Sequence, residues 1–390
     1  MNASVAADSA VLAESKVFLP VYHHLPIEPE RGEGVYVYTA DGRRYLDLYG
    51  GHAVAILGYG HPQLVRTLEE QARLLFFQSN AVALQVRATA GRKLLGIAPP
   101  GLDRAFLVNS GAEANENALR LAFRLHPGRE RVVAIEGAFH GRTAAAAAVT
   151  ANSARWYAFP RKPFEVTYVP RGDMAALQRE LRDDVAALMV EPVQGQAGAY
   201  ALGKEYLEAC RQAASACGAL LIFDEVQCGM GRLGAPLAAT FYGVTPDIVT
   251  LGKGIAGGFP AAALLAKPEA APDMKVGELG TTFGGGPLAC ALIATVIDTL
   301  RSEGVFANVR EVSAYIRATC QMGPVREIQG EGLLLGLRTT GLAKDVQNAL
   351  LERGILTGSA ADPHIVRLLP PLTLQKEHVD QLVAALREIA

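Results

Sequence analysis

The stretch from Thr245 to Ala266 reads TPDIVTLGKGIAGGFPAAALLA. Its apolar run ends at Leu251, and a single lysine, Lys253, follows between Gly252 and Gly254. A short continuous apolar run suits a strand buried on both faces of a parallel sheet. An amine at the end of such a strand is desolvated and loses proton affinity. A neutral amine can attack a carbonyl. Glycines on either side leave a flat ligand room against the backbone.

Working outward, the same punctuation recurs. RAFLV ends at Val108 and is followed by Asn109, Ser110, Gly111 and Ala112. RVVAI ends at Ile135, ahead of Phe139, His140 and Arg142. VAALMV runs into Glu191, and ALLIF runs into Asp224. Helical patterns alternate with these runs from about residue 85, as in a parallel sheet with crossover helices. One of them, KEYLEACRQAASACG, closes at Gly218. The expected fold is α/β, with a mostly parallel sheet sandwiched by helices and a smaller α+β part at the C-terminal end. The expected segments are 1–50 with a hairpin turning at Asp41-Gly42, 51–288 as the large domain, and 289–390 as the small one. The last segment ends in QKEHVDQLVAALREIA, with Val379, Leu382, Val383, Leu386 and Ile389 on one helical face.

The chain has 390 residues, half of them hydrophobic (50%) and 19% charged, with a formal net charge of -2. No basic excess points to nucleic acid or an anionic membrane. MNASVAADSAVLAESK lacks the charged start and apolar run of a secretory signal. The longest apolar stretches are too short to span a bilayer. Five scattered cysteines with no CxxC pair fit a reducing cytosol better than a disulfide scaffold. There is no HExxH zinc spacing and no GxSxG elbow.

In open parallel sheets, ligands bind outside the carboxyl ends of the strands. The polar residues after these runs therefore describe one pocket. Asp224, after five apolar residues, needs a partner, either a backbone N–H or core arginine, or a cationic ligand atom. Ser110 and Glu113 form the spacing of a capping box. They either cap a plain helix or, with Gly111 admitting a ligand, mark an anion site. GTTFGGG, from Gly280 to Gly286, is either an ordinary loop or a second phosphate contact. Taken singly, Phe139 reads more often as core packing and His140 more often as a satisfied histidine than as site residues. Arg142 and Arg367 read as surface charges or as carboxylate clamps. GKGIAG at Gly252–Gly257 formally matches GxGxxG, but the next acidic residue, Glu269, stands too close for a ribose contact. A lysine, a carboxylate for a pyridinium nitrogen and a phosphate cup together fit pyridoxal phosphate.

The motifs NSGAEANENALRLA, FHGRT, EPVQGQAG, LIFDEVQCGMGRLG, LGKGIAGGFP and TTFGGGPLA resemble the class III aminotransferases, in that family's order, from about Val17 to the C-terminus. Within the family they look most like the acetylornithine branch and its lysine-biosynthesis relatives. The resemblance implies a fold type I enzyme using pyridoxal 5′-phosphate, working as a homodimer with shared sites in the cytoplasm. It implies that Lys253 binds the cofactor covalently and that Asp224 pairs with its ring nitrogen. Phe139 and Val226 would cover the ring faces, and His140 would line the cofactor site. Ser110, Gly111 and Ala112 would hold the phosphate, with Thr282 from the partner subunit. Gln227 would bond the ring hydroxyl, and Glu191 would order the site. Arg142 would clamp the donor's α-carboxylate, and Arg367 the carboxylate beside the reacting carbon. The amino donor would be an acylated diamino acid such as N-acetylornithine, and 2-oxoglutarate would accept the amine. Other ω-amino donors, a carrier-bound lysine, or a catalytically silent cofactor-binding regulator are the alternatives.

Four positions depart from the family's usual pattern: Gln196 for glutamate, Cys228 for threonine, Gly286 for asparagine and Leu279 for histidine. The neutral Gln196 is expected to hold Arg367 more weakly than a glutamate would.

Overall fold

The structure is a computed structural model that describes residues 10–389. Met1–Ser9, part of the stretch read above as no signal, lie outside the described residues, as does Ala390. Strands β1 (Pro29–Glu33), β2 (Tyr36–Thr39) and β3 (Arg44–Asp47) form an antiparallel meander. The second turn falls at Asp41-Gly42, where Gly42 takes φ +81°, a conformation that favours glycine.

The main sheet is built from β4 (Arg104–Val108), β5 (Arg131–Ile135), β6 (Glu165–Val169), β7 (Val185–Val190), β10 (Leu220–Asp224), β11 (Ile248–Leu251) and β12 (Ala262–Ala266). Between them, β8 (Val193–Gln194) and β9 (Tyr200–Ala201) make a small hairpin. The order in the main sheet is β4-β12-β11-β10-β7-β5-β6. Only β12 runs against the rest; it pairs antiparallel with both β11 and β4. The carboxyl ends of β4, β5, β7, β10 and β11 therefore meet along one edge.

Side chains alternate between two cores, as the pleat requires. Val133, Leu188, Leu221, Phe223 and Val249 face one core, which includes Cys210 and Ala214 of the helix Lys204–Cys217 and Ile293 and Val296 of the helix Pro287–Ser302. Val132, Ala187, Met189, Ile222 and Ile248 face the other, with Ala118, Leu119 and Ala122 of the helix Gly111–Leu125. The helix Lys204–Cys217 ends at Gly218 with φ +68°.

The C-terminal part carries β13 (Val325–Glu331), β14 (Leu334–Thr339), β15 (Ile355–Leu356), β16 (Gly358–Ser359) and β17 (Ile365–Leu368). Four of these form an antiparallel sheet in the order β13-β14-β17-β16. The short β15 instead joins the N-terminal meander, parallel to β3. The closing helix Lys376–Glu388 buries Val379, Leu382, Val383 and Leu386, while Ile389 falls just past its last turn. All five cysteines are buried and unpaired. Among the described residues no helix is long and apolar enough to cross a membrane.

Candidate active site

Asp224 closes β10 and is 3% exposed. Its Oδ2 accepts from Asn115 Nδ2 at 2.8 Å and faces His140 Nδ1 at 2.8 Å, which fixes that nitrogen as the donor. Its Oδ1 accepts only from the Val226 amide, at 3.0 Å. A carboxylate oxygen has capacity for more than one donor. Oδ1 is thus the oxygen with capacity left toward the pocket.

Asn115 carries no signal of function in the sequence, where it reads as one more polar position on a helix. In the fold it is fully buried and fully used. Thr250 Oγ1 donates to its Oδ1 at 2.6 Å, and its Nδ2 also reaches the His140 carbonyl at 2.7 Å. Glu191, buried after β7, accepts from the amides of Phe139 at 2.8 Å and Gly195 at 3.2 Å. Burial raises its pKa to about 7, against the opposing pull of His140. Glu191 therefore ties the β5 loop to the loop that carries Gln196.

Lys253 follows β11 with φ +47°, an uncommon backbone state for a residue with a side chain. Burial lowers its amine below the usual lysine range, while the charges of Asp224 and Glu191 oppose that shift. The neighbouring glycines also serve the protein's own packing. A Cβ at Gly254 would come within 2.3 Å of Ile56 Cγ2, and one at Gly252 within 3.2 Å of Val226 Cγ1. Gly111 likewise admits Val226, whose Cγ1 would lie 2.7 Å from a Cβ there. Val226 is pressed against the start of the Gly111–Leu125 helix for this reason.

At that helix start Ser110 Oγ accepts from the Glu113 amide at 3.2 Å. The box is not reciprocal: Glu113 Oε2 takes the amide of Asn109 at 2.7 Å and its Nδ2 at 3.1 Å. Ser110 keeps its hydroxyl proton, and the first amides of the helix lack helical partners. In the glycine-rich loop, Thr281 Oγ1 is committed to the Gly284 amide at 3.1 Å and to Asn109 Nδ2 at 3.2 Å. Thr282 is exposed, in the same loop as the 66% exposed Phe283.

Arg367 lies in β17 and is 5% exposed. Its Nη1 donates to Gln227 Oε1 at 3.3 Å and its Nε to the Ser359 carbonyl. The Gln227 oxygen is therefore already engaged by Arg367. Gln196 points outward and is exposed; only its carbonyl is used, by the Ala361 amide at 2.8 Å. No bond joins it to Arg367. Arg142 is exposed, with its guanidinium carbon 5.3 Å from the Trp156 ring centroid. The structure thus brings Lys253, Asp224, His140, Glu191, Val226, Gln227 and Arg367 close together beyond the strand ends. Gln196 and Thr282 stay apart from it.

A buried carboxylate with acceptor capacity left on one oxygen, a desolvated amine and a helix start with unpaired amides suit an enzyme that works on carbonyl and amino groups through a bound anionic cofactor. The family model Aminotransferase class-III matches residues 18–390, and the chain belongs to that family. It is 38% identical over 389 residues to the acetylornithine aminotransferase of Methanocaldococcus jannaschii, covering 96% of each chain. Its fold is similar to that of the ornithine aminotransferase of Toxoplasma gondii, with TM-score 0.91, 28% identity and coverage of 96% and 93% of the two chains. The acetylornithine aminotransferase of Elizabethkingia anophelis superposes with TM-score 0.84 and 28% identity, covering 96% of each.

The chain is an aminotransferase that uses pyridoxal 5′-phosphate, an amino donor and a keto acid. The residues present fit that cofactor. His140 Nε2 is buried without a partner, and Asp224 Oδ1 has spare capacity. The helix start at Ser110 offers unpaired amides to a phosphate.

Proposed function

We propose that this enzyme transfers the terminal amine of N-acetylornithine, or a close acylated diamino acid, to 2-oxoglutarate. The products are N-acetylglutamate 5-semialdehyde and glutamate. The observation that carries the reading is Arg367: a buried guanidinium beside Lys253 whose bonds go only to Gln227 and a carbonyl. Among the described residues no ion pair occupies it, so a substrate carboxylate can.

When bound, pyridoxal 5′-phosphate supplies the aldehyde that takes up the amino group and a ring that accepts electrons. Lys253 Nζ holds the cofactor, then moves the proton at the carbon that bears the amine. Asp224 Oδ1 would hold a proton on the ring nitrogen, and a charge-assisted bond of this kind is worth about 1.5–3 kcal/mol. Phe139 and Val226 would cover the ring faces, Gln227 and His140 would help hold the cofactor, and Glu191 sets the two loops through the Phe139 and Gly195 amides. Ser110, Gly111 and Ala112 would hold the phosphate. Arg142 takes the donor's α-carboxylate.

A homodimer with Thr282 completing the partner's phosphate site accords with the exposed apolar residues Leu74, Phe76, Phe77, Val276 and Phe283, some in the same loop as Thr282. The reading takes 1–50 as an N-terminal segment, 51–288 as the cofactor-binding body and 289–390 as the smaller lobe. The main sheet lies within the second and the four-stranded C-terminal sheet within the third. It also takes the cytoplasm as the compartment, in keeping with five unpaired cysteines.

The test is a set of half-reactions with N-acetylornithine, N-succinylornithine, ornithine, lysine and 4-aminobutyrate, following conversion of the bound cofactor to its amine form. Fastest conversion by an acylated ornithine is expected. Conversion by the free amines alone overturns the substrate assignment.

A further inference from the structure

Among the described residues Arg232 is the largest fully buried side chain, at 1% exposed. Burial pushes its pKa down to about 9, and no carboxylate offsets that cost. Its Nε and Nη2 are buried without partners. Only Nη1 is used: it donates to the Leu333 carbonyl at 3.2 Å and to the Pro370 carbonyl. A cation kept under such terms needs a positional reason.

The ladder between β14 and β17 supplies one. The ladder ends at Leu335 and Leu368; extended by two residues, the same antiparallel register would set Leu333 opposite Pro370. Proline has no N–H, and the ladder cannot continue through it. Arg232 Nη1 takes the place of the missing rung and holds both carbonyls. The Leu333 amide returns a bond to the Arg232 carbonyl at 2.9 Å. Gly332 fits against that same carbonyl, which would lie 2.4 Å from a Cβ.

These contacts close a ring of two short chain segments. At one end Arg367 meets Gln227 at 3.3 Å; at the other Arg232 meets Pro370. Gln227 and Arg232 belong to the loop that follows Asp224, while Arg367 and Pro370 belong to β17 and its exit. We propose that Arg232 is a positioning residue for Arg367, setting where the carboxylate-binding guanidinium stands relative to the cofactor loop. The role rests on Arg367 binding the keto acid carboxylate. It acts on the keto acid half of the cycle and leaves the terminal-amine donor untouched.

The experiment compares Arg232→Met, Arg232→Lys and Arg367→Gln in the cofactor-loaded enzyme. KM for 2-oxoglutarate, kcat, the rate of the donor half-reaction and the visible spectrum are measured for each. Arg232→Met is expected to raise the keto acid KM about tenfold with kcat and the donor half-reaction changed less than about twofold. Arg232→Lys, which keeps a donor for one carbonyl, is expected to recover part of the loss. It also carries the same expectation on a smaller scale if the methionine variant does not fold. Equal losses in both half-reactions, or an unchanged keto acid KM with lowered thermal stability, overturn the proposal. If Arg367→Gln leaves the keto acid KM unchanged, the assignment of Arg367 falls and this role falls with it. If Arg367→Gln raises it and the Arg232 variants do not, only the role of Arg232 falls.

Discussion

His140 Nδ1 and Asn115 Nδ2 meet at the same oxygen of Asp224, each at 2.8 Å. Two donors on Oδ2 fix the carboxylate plane and leave Oδ1 for the pocket. Electrostatic groups of this kind act because they are oriented before the reaction begins. Asp224→Asn is expected to lower kcat by about 10²–10³, the range for removing one preorganised stabilising group. Steady-state kinetics at saturating cofactor check this; a loss below about tenfold contradicts it.

Asn115 is the hub behind that geometry. Asn115→Ala strips a donor from Asp224 and the His140 carbonyl and an acceptor from Thr250, all inside the protein. Unsatisfied buried groups predict a destabilisation of about 1–3 kcal/mol. Chemical denaturation of the cofactor-free protein measures it directly, and an unchanged midpoint contradicts the hub.

Gly254 tests whether the glycines beside Lys253 serve packing. Gly254→Ala places a Cβ 2.3 Å from Ile56 Cγ2. Overpacking predicts a loss of about 1–3 kcal/mol. Adding Ile56→Ala removes the clash, so the double variant should regain part of what the single one lost. If the two losses simply add, the contact is not the cause.

Glu225 gives the protein a pH dependence. Its carboxylate caps a short helix by accepting from the amides of Ala238 at 2.5 Å and Ala239 at 2.8 Å, yet burial raises its pKa from 4.5 to about 7. The folded state therefore holds this proton more tightly than the unfolded chain does. The stabilisation is complete below pH 4.5 and is lost as pH rises through about 7. The shift corresponds to about 3 kcal/mol. Denaturation midpoints should fall as pH rises from about 4.5 to about 7, with Glu191 adding to the slope in the same window. Glu225→Gln should flatten that slope, and a variant as steep as the parent contradicts the assignment.

The strand ends were legible because each apolar run stops abruptly at a polar residue, and Asp224, Glu191 and Lys253 stand at those stops. The direction of β12 was not. AAALLA after a glycine-proline turn looks like any small apolar run, and its reversal appears only in the pairing with β4 and β11. Strand β6, EVTYV, alternates too weakly to separate from a loop. Asn115 and Arg232 were hidden for another reason. Polar residues read as surface unless the fold shows what covers them. The weak hold of the neutral Gln196 on Arg367 was legible from its charge; that Gln227 Oε1 accepts from Arg367 instead was not.

The central claim is that the Lys253 amine carries the cofactor. Borohydride treatment of the purified enzyme, followed by peptide mapping, tests it most directly. The account predicts loss of the visible absorbance and a pyridoxyl group on the peptide holding Lys253. A label on another lysine, or none on protein replete with pyridoxal 5′-phosphate, contradicts it.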